Sequence, residues 1–117
     1  MAIVKLTPSK IEKWNGASGA VSFTALDATA GAYYEHGARD DRTLILVSNK
    51  ATSAENFTIK QGNGLQGVAD EVLSVPASST IATVIESGRF KNVSGDNKGR
   101  VLFEGSANLS VAVVEMP

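Results

Sequence analysis

RTLILVSN, residues 42–49, opens a series of seven short apolar runs that fills the chain to its last residue. The others are NFTIK (56–60), EVLSVPA (71–77), TIATVIE (80–86), RFKNV (89–93), GRVLFEG (99–105) and NLSVAVVEMP (108–117). Each is closed by a turn signal such as Asn-Gly, Pro, Ser-Gly or Gly-Ser. Such runs are strand-length, and their spacing predicts an all-β chain, an antiparallel β-sandwich or small barrel. Within NFTIK, Phe57 and Ile59 point to one side while Thr58 and Lys60 point to the other, the period of a half-buried strand. Between the second and third runs, Gly62-Asn63-Gly64 predicts a tight turn, because Asn-Gly tolerates positive φ. RFKNV is read as a strand entered through a compact Ser87-Gly88 turn.

Two runs are apolar on both faces. In the first, Leu44 and Leu46 oppose Ile45 and Val47; in the last, Leu109, Val111 and Val113 oppose Ala112 and Val114. A sheet packed on one side alternates with polar residues. These two strands are therefore expected to be covered twice, by a loop or the N-terminal arm, or to meet another subunit.

Upstream of residue 42 the pattern weakens. Thr7-Pro8 is a helix-start signal, so residues 8–14 are expected to form one or two helical turns. Residues 20–26 alternate as a strand with Val21, Phe23 and Ala25 on one side. Residues 1–19 read as an arm or edge element of a single domain spanning 1–117. The stretch from Asp27 to Asp41, DATAGAYYEHGARDD, is the longest irregular segment, with Tyr33-Tyr34 as a brief strand inside it. Long loops in compact domains are commonly functional, so this is the expected contact surface. Trp14, Tyr33, Tyr34 and His36 are its candidate partner-contact residues.

Composition limits the chemistry. With 117 residues the chain can bury one core, hiding roughly two-thirds of its unfolded surface. It has no cysteine, which removes disulfides and thiolate nucleophiles. The formal net charge of −1, with Lys and Arg scattered singly, offers no basic footprint for nucleic acid. The N-terminal segment reads as neither signal peptide nor membrane span, so a soluble protein is expected. His36 is the single histidine and reads as a solvated loop residue; one imidazole cannot supply a catalytic zinc site. The GxSxG motif is absent, and Asp40-Asp41 and Asp70-Glu71 are adjacent acids that diverge on a strand and read as solvated turn residues. No enzyme, no metal and no cofactor are expected. The aromatic side chains leave a carbohydrate-binding sandwich as the main alternative, with a phage tail or connector subunit as a third.

From Leu44 onward the order of features resembles the small β-sandwich proteins that decorate and reinforce the capsid exterior of tailed bacteriophages and prophages. The resemblance rests on LILVSN, the segment FTIKQGNGLQGVADEVLSVPASSTIATVIESGRFKN, then GRVLFEG and the valine-rich last strand. It covers the last two-thirds of the chain, and its elements are structural. The resemblance implies a virion location on the capsid exterior, the major capsid protein as partner and a homo-oligomer, dimer or trimer. It also implies a jelly-roll-like or related sandwich fold and no cofactor. The charge balance and the lack of a long apolar segment add the expectation of no nucleic acid and no membrane as partners.

Overall fold

The computed structural model describes residues 3–11 and 21–116, and within them the chain is a two-sheet β-sandwich. Ten strands form: β1 (Val4–Lys5), β2 (Ser9–Lys10), β3 (Thr24–Ala25), β4 (Ala32–Glu35), β5 (Thr43–Asn49), β6 (Glu55–Ile59), β7 (Glu71–Val75), β8 (Thr80–Thr83), β9 (Arg100–Glu104) and β10 (Leu109–Glu115). The first sheet has the order β1-β4-β9-β6-β7, and the second β2-β10-β5-β8 with β3 also on β10. The long strands pair antiparallel, whereas β1 on β4 and β2 on β10 are parallel. Neither sheet closes on itself, so the architecture is a sandwich and not a barrel.

Six of the seven apolar runs are strands. The exception is RFKNV, which starts inside a helical turn, α1 (Ser87–Phe90). Its cause lies 47 residues upstream: Asp40 Oδ2 accepts from the Ser87 amide at 2.9 Å, capping the turn, and Phe90 is buried in the core. The N-terminal region also departs from expectation. Residues 9–10 pair as β2 instead of opening a helix, and residues 12–14, Trp14 included, lie outside the described residues. Of the predicted strand over 20–26, two residues pair, and Val21, Phe23 and Ala25 are exposed. Residues 4–10 form an edge element that pairs first with one sheet and then with the other, with Leu6 buried between.

The core is where strict alternation puts it. β5 buries Thr43, Ile45, Val47 and Asn49, and β9 buries Val101 and Phe103. Aromatic rings join the strands of the first sheet: Tyr34 stacks on Phe103 at 5.7 Å, and Phe57 lies 5.0 Å from Phe103. On β10, Ala112 and Val114 are buried as well as Val111 and Val113, so that strand is covered on both faces. On β5 the outer side chains Leu44 and Leu46 remain partly exposed.

The buried face ends in a polar residue for a reason. Asn49 Nδ2 donates to the carbonyls of Ser53 at 3.0 Å and Val75 at 3.1 Å, and its Oδ1 accepts from the Ala51 amide at 2.9 Å. One buried amide thus fastens β5 of the second sheet to the end of β7 in the first.

Candidate functional site

The segment expected to be the contact surface is mostly structural. Asp27 Oδ1 accepts from the amides of Thr29 and Ala30, both at 2.8 Å, making a tight turn into β4. These amides hold its carboxyl below the ordinary aspartate value. β4 then carries Ala32 and Tyr34 inward against Phe103 and Val101. Tyr34 is wholly buried and His36 is 4% exposed, so neither presents a surface to a partner in the free chain, and His36 is not a solvated loop residue.

Instead the two belong to a chain of hydrogen bonds. Tyr34 Oη and His36 Nδ1 are 2.6 Å apart, and His36 Nε2 and Asp40 Oδ1 are 2.8 Å apart. Asp40 Oδ2 accepts from both the amide and, at 3.2 Å, the hydroxyl of Ser87. Burial pushes the Tyr34 phenol up, and the charges of Asp40 and Glu115 add to the effect. For Asp40, desolvation pushes upward, but the Ser87 amide, the His36 ring and the Ser87 hydroxyl together outweigh it and hold the carboxyl below its usual value. The order of groups matters chemically. A hydroxyl nucleophile needs the imidazole beside it, and here Asp40 stands between Ser87 and His36. The chain is a fastening between β4 and α1.

Tyr33 points to the opposite face of the first sheet, beside Leu102. It is 9% exposed, because the Arg100 guanidinium lies over its ring at 4.1 Å. A sugar-stacking platform needs a free ring face, and this one is taken. Around it the outer surface of the first sheet is charged: Lys5 pairs with Glu35 at 3.3 Å, and Lys60 reaches Asp70 at 2.9 Å and Glu104 at 3.6 Å.

The exposed apolar groups lie elsewhere. Gly62-Asn63-Gly64 is not a tight turn but the start of a long connection, residues 60–70, between β6 and β7. None of these three residues has positive φ. Its glycines serve close approach: a Cβ on Gly67 would collide with the Gly62 carbonyl, and one on Gly62 with the Lys91 carbonyl. The loop rests on α1 and the residues after it. The Gly62 amide donates to the Arg89 carbonyl at 2.8 Å, and Asn63 Oδ1 accepts from the Val93 amide at 2.8 Å. Asn63 Nδ2 returns a bond to the Ser94 carbonyl at 3.0 Å. At the base, Asp70 accepts from the Gln61 amide at 2.8 Å and from Lys60, and both bonds hold its carboxyl below the ordinary value. Asp70, read from sequence as a solvated turn acid, is the clasp of the loop.

This bracing holds Leu65 fully in water, with Val68 at 78% and Val93 at 57% exposure beside it. Leu65 and Val68 held out on a hydrogen-bonded loop, with Val93 on the segment that the loop is tied to, are an apolar prong. A second apolar area lies on the outer face of the second sheet, where Leu44 and Leu46 are flanked by the exposed Ala82 and Val84. Sequence reasoning missed the prong, although its signal was present: Leu65 and Val68 sit in a polar, glycine-rich connection where no core strand could use them.

Among the described residues no cluster of His, Asp and Glu could hold a metal ion, and no helix is long and apolar enough to cross a membrane. Comparison with known proteins found no matching family model, no similar curated protein and no similar solved structure.

Proposed function

We propose that this protein is a structural virion component that decorates and stabilises the exterior of a tailed-phage capsid by non-covalent binding to the major capsid protein. The braced loop is the observation that carries the reading. A leucine and two valines kept in water contribute nothing to the fold's own core, whereas pressed against a shell each becomes buried apolar area. Three polar side chains at the loop and below it are engaged in fastening: Asp70 and Asn63 fix the loop, and Asp40 fixes α1 beneath it. The sandwich supplies a stiff body, and stiffness lets a small contact brace neighbouring capsid subunits. On this reading the protein makes and breaks no covalent bonds and takes no cofactor.

The test is co-sedimentation with expanded empty heads of the encoding phage, together with the temperature at which those heads disrupt. Saturable binding and a raised disruption temperature are expected. Burying a leucine is worth about 1.5–3 kcal/mol, so Leu65→Ser should weaken binding roughly tenfold to a hundredfold. Its melting temperature should not move, because the side chain touches solvent alone. Failure to sediment with heads at micromolar protein refutes the proposal.

A further inference from the structure

We infer that the free edge of the second sheet, β8, is a self-association surface, where two copies of this chain pair antiparallel about a two-fold axis through Ala82. β8 is the terminal strand of its sheet, with β5 on one side and no strand on the other among the described residues. The register is Ile45 with Thr83, Val47 with Ile81, and the Asn49 amide donates to the Ser79 carbonyl at 2.8 Å. In an antiparallel ladder the main-chain groups alternate in direction. Those of Ser79, Ile81 and Thr83 thus face β5, and those of Thr80, Ala82 and Val84 face outward.

Natural edge strands are blunted by charge, proline or brevity. The other edges here follow that rule. β1 and β2 have two residues each and carry Lys5 and Lys10, and β7 begins at Glu71 and is followed by Pro76. β8, four residues long, has neither charge nor proline. Thr80-Ile81-Ala82-Thr83-Val84-Ile85 is uncharged and free of proline, and Glu86 is the first charge after it.

A second copy is the partner that this edge fits. With Ala82 opposite Ala82, Ile81 stands opposite Thr83 and Thr80 opposite Val84, so every pair shares a face and no like charges meet. The smallest side chain lies on the axis, and the outward main-chain groups exchange about six hydrogen bonds. A pairing this short buries less than the roughly 1,200 Å² of a stable interface, so association in the range of about 10–100 µM is expected. The axis runs normal to the sheet, and Leu44 and Leu46 of both copies then point the same way. The dimer rests on the sheet edge alone and is tested without a shell.

The chain has no cysteine, so a single introduced thiol reports one position. Opposed residues at a hydrogen-bonded antiparallel site have Cα atoms about 5.5 Å apart, within disulfide reach. Ala82→Cys should therefore oxidise to a covalent dimer. Val84→Cys alone should not, because its two copies lie about 13 Å apart along the strands. Mixing Thr80→Cys with Val84→Cys should restore cross-linking. In sedimentation equilibrium the unmodified chain should dimerise with concentration, and Ala82→Lys should be monomeric with its melting temperature kept. A chain that stays monomeric to about 200 µM, or equal cross-linking of Ala82→Cys and Val84→Cys, overturns the inference.

Discussion

Replacing Asn49 by alanine tests whether the two sheets are held by a buried amide as well as by apolar packing. The side chain is 2% exposed and makes three short hydrogen bonds, to the Ser53 and Val75 carbonyls and from the Ala51 amide. The bond to Val75 is fully buried, so its carbonyl would be left without water, at a cost of about 1–3 kcal/mol. The other two are partly buried and can be rehydrated, losing about 0.5–1.5 kcal/mol each. The total is about 2–6 kcal/mol, with about 3–4 in the middle of the range. A chain of 117 residues has a stability of about 6–18 kcal/mol, so the loss is a large fraction of the whole. Each kilocalorie moves the melting temperature of a domain of this size by about 3–6 °C, so Asn49→Ala should melt about 10–20 °C lower. Calorimetry and urea titration would measure it, with the urea slope unchanged because the same surface is exposed on unfolding. Ser48→Ala, one residue away on the outer face, serves as the control and should stay within about 0.5 kcal/mol. An Asn49→Ala melting point within about 3 °C of the parent would refute the idea that this amide ties β5 to β7.

Tyr34→Phe keeps the ring stacked on Phe103 but leaves His36 Nδ1 without its partner in the interior, so urea titration should show a loss of about 1–3 kcal/mol. Acid should also destabilise the fold. Asp27, Asp40 and Asp70 all have carboxyls held below the ordinary value of 3.8, so each contributes stability that is present above that value. The contribution is lost as pH falls through the lowered values of the folded state. Melting temperature should therefore be flat in these groups above about pH 5 and fall below about pH 4, and a profile still rising on acidification through pH 3 would contradict the assigned hydrogen bonds.

The parts of this fold that could be read from sequence are those fixed by alternation along one strand. β5, β6 and β9 bury the residues their period assigns, because burial of one face is a local property of a pleated strand. What could not be read depends on partners far along the chain. His36 looks like a loop residue until Tyr34 and Asp40 are seen to close around it, and Asp40 in turn is positioned by Ser87. The same long-range bond makes a helical turn of Ser87–Phe90, where the local pattern favoured a compact turn at Ser87-Gly88 and a strand from Arg89. Tyr33 and Tyr34 were legible as a strand, but which ring enters the core depends on sheet pairing, and the cover on Tyr33 comes from Arg100 on a neighbouring strand. The Gly-Asn-Gly signal was real as a break and wrong as a turn type, since a glycine required for close approach has the same letter as one required for positive φ.

On the proposed function, the loop and the sheet edge would answer different needs, and their positions keep them separable. A single apolar prong would bind a shell with modest affinity, because little area is offered per copy. Joining two copies at β8 would make the second contact intramolecular, and a short rigid link would raise its effective concentration to the millimolar range. Affinity for a repeating surface can then rise by about two to four powers of ten with no new contact to the shell. Such a gain requires geometry that holds both prongs at a fixed spacing. Here the hydrogen bonds at Asp70, Asn63 and Gly62 tie the loop to its own base, to α1 and to the segment after it, which fixes where Leu65 and Val68 stand. Leu65→Ser should therefore weaken shell binding while leaving the dimer intact, and Ala82→Lys should abolish the dimer while leaving single-copy binding unchanged. If both variants lost both properties, one shared surface would be responsible, and the separation of prong from edge would be wrong.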